Sequence, residues 1–76
     1  SIFLIISPEV WTRTSDMAAV EYGNDTIIKT IAQVTLSEDF VVLESPNKKQ
    51  APVALVRGKD HFRIIGKVIE RIQRYV

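Results

Sequence analysis

The chain has 76 residues, 46% of them hydrophobic and 25% charged, with a net charge of +1. It is therefore one domain at most, and no strong global field recruits nucleic acid or a membrane surface. It has no cysteine and a single histidine, His61, which excludes disulfides and a Cys/His metal site; further chain or a second subunit is the remaining source of extra stability for so small a core.

The longest apolar run, Ile2-Phe3-Leu4-Ile5-Ile6, is too short to span a bilayer. It also lacks the basic flank and cleavage site of a signal peptide. It reads as a strand from Ile2 to Ile6, buried on both faces and stopped by Ser7-Pro8, with the chain that precedes it absent. Met17 to Tyr22 reads as a second strand. Gly23-Asn24-Asp25 is a hairpin signal, because Gly and Asn tolerate positive φ. Thr26 to Val34, rich in β-branched residues, returns as a third strand. Ser37-Glu38-Asp39 is a polar turn, Phe40 to Leu43 a short strand and Ser45 to Ala51 a polar loop. Pro52 to Val56 is a further strand, and Arg57-Gly58-Lys59-Asp60 turns the chain again.

In the last segment, Ile64, Ile65, Val68, Ile69 and Ile72 recur at helical spacing, so periodicity alone predicts an amphipathic helix. Gly66 in its middle and the density of β-branched residues suit a strand instead. On a helix, Arg63, Lys67, Arg71 and Arg74 would form a basic stripe able to touch phosphates. On a regular strand, Arg63, Lys67 and Arg71 would share a face with Ile65 and Ile69. A solvated face is the commoner meaning of such a run.

Few residues are candidates for chemistry. Lys29 has apolar neighbours on both sides in Thr26-Ile27-Ile28-Lys29-Thr30-Ile31. Desolvation lowers the pKa of a lysine, and a neutral amine can activate a serine hydroxyl. The commoner arrangement is a solvent-facing lysine on a half-buried strand. His61, beside a turn, reads as a surface residue. Glu9, Asp16, Glu21 and Asp25 lie near turns without paired spacing and read as solvated. Trp11 is either an interface anchor or a loop residue packed on its own domain. There is no Gly-rich phosphate loop, HExxH pair or GxSxG elbow, and no cofactor is implied.

Taken in order, the segments resemble the C-terminal domain of LexA-type and lambda-type phage repressors, the S24 serine peptidase family. IFLIISPEV is similar to the family's apolar strand ending in Asp-Pro. Ser15-Asp16 stands at its Gly-Asp turn, and Met17-Ala18-Ala19-Val20 matches the strand after that turn. Ile27-Ile28-Lys29-Thr30-Ile31 places Lys29 on the catalytic lysine. Leu43, Asn47, Pro52 and Val53 fall in register with a Leu-x-Pro-x-Asn and Pro-Val pattern. Ile64-Ile65-Gly66-Lys67-Val68-Ile69 resembles the closing strand, which turns the expectation for residues 62 to 74 from helix to strand. Thr30 replaces the basic residue that usually follows the lysine, and Ile27 replaces a common Thr.

The resemblance implies an all-β, LexA/signal-peptidase-like (β-clip-type) domain of about six to seven strands over residues 1–76, lacking its N-terminal part. That part would hold the serine nucleophile and the scissile bond; Ser1 and Ser7 do not take the serine's place. The implied function is the oligomerisation and self-cleavage domain of a cytoplasmic DNA-binding repressor. Lys29 would take the serine's proton in the full-length protein, and this fragment alone would be inactive. The implied partners are a second copy, docked around residues 62 to 75 with Ile65, Lys67, Ile69 and Arg71 at the interface, DNA through the absent domain, and a RecA-type co-protease. No membrane is involved. The alternatives are a sheet-plus-helix nucleic-acid-binding module using Lys67, Arg71 and Arg74, and a non-catalytic dimerisation domain.

Overall fold

Alternating apolar and polar residues, punctuated by turn signals, form six strands and no helix among the residues described by the computed structural model, 2–8, 11–47 and 49–73. The strands are β1 (Ile2–Ser7), β2 (Met17–Tyr22), β3 (Ile28–Leu36), β4 (Phe40–Glu44), β5 (Val53–Val56) and β6 (Phe62–Gln73). They form one antiparallel sheet in the order β1-β6-β2-β3-β4-β5. The all-β class expected from the sequence is observed. β3 starts and ends two residues later than its sequence pattern suggests, because Tyr22 pairs with Ile28 and leaves a longer loop. That loop begins at Gly23, whose φ of 126° is open to glycine and whose missing side chain leaves room for the Thr26 carbonyl.

Most of the buried residues lie on one face of the sheet, while Ala19, paired with Ile31 and Gly66, is buried on the other. Ala18 and Val20 of β2 meet Ala32 and Val34 of β3, Val41 and Leu43 of β4, and Leu55 of β5. Tyr22, Leu36, Phe62 and Ile64 pack around them. The other face carries Glu21, Lys29, Gln33, Glu44 and Arg63, in the alternation expected of a half-solvated antiparallel sheet.

One expectation changes here and another holds. β1 is not buried on both faces: Phe3, Leu4 and Ile5 are 52%, 39% and 38% exposed. Among the described residues it is an edge strand paired with β6 alone. The C-terminal segment is a strand, as expected for residues 62 to 74 from its likeness to a closing strand; the helix that periodicity alone predicts does not form, and with it goes the basic helix of the alternative reading.

β6 is irregular at two places. Ala19 pairs with Gly66 and Val20 with Ile64, so Ile65 is an extra residue against β2. Ile5 pairs with Glu70 and Ile6 with Val68, so Ile69 is an extra residue against β1. Each bulge inserts one residue into the two-residue repeat. Across each bulge a face recurs after three residues instead of two, so Ile64 and Ile72 lie on one face and Val68 on the other, with Ile65 and Ile69 at the bulges: the apolar residues at helical spacing do not share a face. The same bulges put Lys67 on the face of Ala18 and Ser7, opposite Arg63 and Arg71. The shared face expected for these three cations does not form. Arg74 lies outside the described residues.

β6 joins two halves of the molecule. Its residues Phe62–Lys67 pair with β2 and its residues Lys67–Gln73 pair with β1. Beyond Lys67 the β1–β6 pair is a two-stranded ribbon that outruns β2. The longest dimension is 44 Å, close to the ~40 Å that a 12-residue strand spans. The radius of gyration is 12.9 Å, against about 11 Å for a compact chain of this length. At the join, a Cβ on Gly66 would come within 2.7 Å of the Ser7 carbonyl oxygen and 2.8 Å of its carbon. Both are backbone atoms and cannot swing aside. Gly66→Ala is therefore expected to destabilise the fold by ~1–3 kcal/mol through overpacking. Urea unfolding measures this, and an unchanged midpoint would contradict the close approach.

Candidate functional site

Lys29 sits in β3 on the solvated face, exposed, opposite Glu21 of β2. Glu21 in turn pairs across with Arg63 of β6, whose Nε donates to Glu21 Oε1 at 2.8 Å. This hydrogen bond holds the Glu21 carboxyl below its ordinary pKa, with the charges of Arg63, Lys29 and His61 adding to the effect. The three residues form a cross-strand row, positive, negative, positive. The Lys29 side chain makes no hydrogen bond or close ion pair among the described residues.

A second charged cluster ties the β1–β2 connection to the sheet. Asp16 Oδ2 accepts the Arg13 backbone N–H at 2.8 Å and lies 3.5 Å from Lys67 Nζ. The preceding residue, Ser15, has a left-handed φ of 74°. Its N–H donates to the Val34 carbonyl at 2.7 Å, and the Val34 N–H donates to the Asp16 carbonyl at 2.9 Å. Asp16 and Glu21 are thus half-buried and paired, rather than simply solvated. Asp25 is exposed; Glu9 lies outside the described residues, as does Ser1.

His61 is exposed, and its backbone N–H donates to Asn24 Oδ1 at 2.9 Å. Its role is to close the loop beside β2. Trp11 is 83% exposed, so it is not packed on its own domain. It borders a cleft of about 350 Å³ shared with Arg57, Leu36 and Ile64. Neither the cleft nor Arg57 was evident from the sequence, where Arg57 is only the first residue of a turn.

The residues expected at a dimer interface are dispersed. Ile65 and Ile69 are the two bulge residues, Lys67 is paired with Asp16, and Arg71 faces away from Lys67. Ile69, at 51% exposure, joins Phe3, Leu4 and Ile5 as uncovered apolar surface on the ribbon. Among the described residues no group of three or more His, Asp or Glu is placed to hold a metal. No helix among them is long and apolar enough to cross a membrane.

No protein-family model, curated protein or solved structure matches this chain.

The Asp16 carboxyl is held below its ordinary pKa, first by the Arg13 N–H and then, against some desolvation, by Lys67 and the Arg13 charge. A carboxylate with a lowered native pKa stabilises the fold fully above its unfolded value and loses that contribution as pH falls through the native value. Stability is thus expected to decline below about pH 4. Asp16→Asn is expected to flatten that decline in thermal melts across the acid range; an unaltered profile would show that the Arg13–Asp16–Lys67 contact is not formed in solution.

Proposed function

We propose that this chain is the self-association and regulatory domain of a DNA-binding repressor of the LexA-like type, joined in the repressor to a separate DNA-binding domain. The observation that carries the reading is the β1–β6 ribbon. Phe3, Leu4, Ile5 and Ile69 are all between 38% and 52% exposed on it, and β6 beyond Lys67 has a strand on one side only among the described residues. The surface of the chain is 5852 Å², against about 4,700 Å² for a compact monomer of this mass. The excess, ~1,100 Å², is of the size each partner contributes to a stable protein–protein interface. A second copy meeting the same ribbon would form a two-fold, self-complementary contact. Dimerisation would hold two DNA-binding domains at high effective concentration on paired half-sites.

The Ser15-Asp16 turn supports the family reading. Ser15 adopts φ 74°, a backbone conformation that favours glycine, at the position where the resemblance puts the family's Gly-Asp turn. Lys29 is the proton acceptor in this reading, with the serine and the scissile bond supplied by other parts of the repressor. A RecA-type co-protease would promote the cleavage, which uncouples the two DNA contacts.

Two measurements test the two halves of the proposal. Sedimentation at high micromolar concentration is expected to give a dimer, and Leu4→Lys with Ile69→Lys to weaken it at least ~tenfold; a monomer throughout would sink the ribbon interface. In the repressor carrying its DNA-binding domain, Lys29→Ala is expected to slow self-cleavage by ~100-fold or more. Cleavage at the parent rate would remove Lys29 from the chemistry and leave a non-catalytic dimerisation domain.

A further inference from the structure

The cleft beside Trp11 is not used by the reading above. Trp11 is the only tryptophan in the chain and is 83% exposed. An indole combines a large apolar face with one N–H donor, which makes it an effective anchor when a partner buries it. Leu36, Ile64 and Ile65 also line the cleft.

Among the described residues, Arg57 is the only charged side chain on the cleft wall. Its Nε donates to the Ser37 carbonyl at 2.9 Å, and its guanidinium carbon lies 5.6 Å from the centre of the Phe62 ring. These contacts fix the guanidinium in orientation. No carboxylate among the described residues forms an ion pair with it. A guanidinium held in this way beside apolar walls matches a carboxylate in charge and in forked geometry.

The floor of the cleft supplies the third element. Ile64, Ile65 and Gly66 line it. Among the described residues this stretch of β6 is paired with β2 alone, since β1 pairs from Lys67 onward. An extended chain can add to a sheet at such a place, taking main-chain hydrogen bonds from the edge and specificity from side-chain pockets. The volume of about 350 Å³ is at the small end for ligand sites. It suits two or three side chains of a peptide better than a large cofactor.

We propose that this cleft binds an extended segment of a partner protein that carries an Asp or Glu among apolar residues. The carboxylate sits on Arg57, and the apolar neighbours bury Trp11 against Ile64 and Leu36. The site is separate from Lys29, which lies on the opposite face of the sheet, so either proposal can fail without the other.

The experiment titrates the chain with three short apolar peptides: one capped at both ends with a central Asp, its Asn counterpart, and an uncharged one with a free C-terminal carboxylate. Calorimetry and the fluorescence of the single tryptophan read binding. The Asp peptide is expected to bind with a blue shift, and the Asn peptide about tenfold more weakly, the loss of one charge-assisted contact. Arg57→Gln should erase that difference. Trp11→Ala, at an exposed position that spares the fold, should weaken binding in the calorimeter. Three results overturn the proposal: no binding of any peptide at millimolar concentration, an Asp preference that survives in Arg57→Gln, or tighter binding of the free C-terminus than of the Asp peptide. Circular dichroism of Arg57→Gln, with Trp11→Ala as the second variant, separates lost binding from lost folding.

Discussion

The hydrogen-bonded ladder of β6, with β2 along its first half and β1 along its second, is the join on which the rest of the structure depends. β1 has no other strand neighbour, and β2 reaches β1 only through β6. The join works because the backbone of Ser7 approaches Gly66 more closely than any side chain permits. It also works because β6 absorbs one extra residue on each side. Without the bulge at Ile65, the one-residue shift would carry Phe62 and Ile64 to the solvated face and withdraw them from the core.

A single sheet can bury only what lies on one of its faces unless a second layer covers the other. Here the buried set is small, and its largest fully enclosed side chains are three valines, Val20, Val34 and Val41. The opposite face is kept in water by charge, with Glu21 held between Arg63 and Lys29. The Thr14–Asp16 turn adds a polar clasp. Thr14 Oγ1 accepts the Leu36 N–H at 3.1 Å, Ser15 and Asp16 bond to Val34, and Asp16 reaches Lys67. The clasp links the β1–β2 connection to β3 and β6.

The two surfaces left uncovered differ in kind. The ribbon is apolar on an extended strand pair, which suits contact with a copy of itself. The cleft couples an exposed indole to one fixed cation, which suits a short segment of opposite charge. Self-association and peptide recognition could therefore operate on one small domain without competing for the same residues.

Much of the fold was legible in the chain. β-branched runs and the turns at Gly23, Ser37 and Arg57 fixed five strands to within two residues, since alternation and turn chemistry act over a few neighbours. The sixth strand was legible only through the likeness of Ile64 to Ile69 to a closing strand, since Ile64, Ile65, Val68, Ile69 and Ile72 recur at helical spacing; its bulges at Ile65 and Ile69 were not legible, because a bulge is visible only against its partner strand. The apolar run of β1 was misjudged for a related reason: composition says that five residues are hydrophobic, but only the strand order says that they lie at an edge. Likewise, Lys29 was picked out by its neighbours in the chain, whereas its exposure follows from its cross-strand row with Glu21 and Arg63. Local propensity determined where strands begin and end. Strand order, register and the meeting of Trp11 with Arg57 and β6 were decided only by tertiary structure, because they depend on pairings between residues up to 71 apart in the chain.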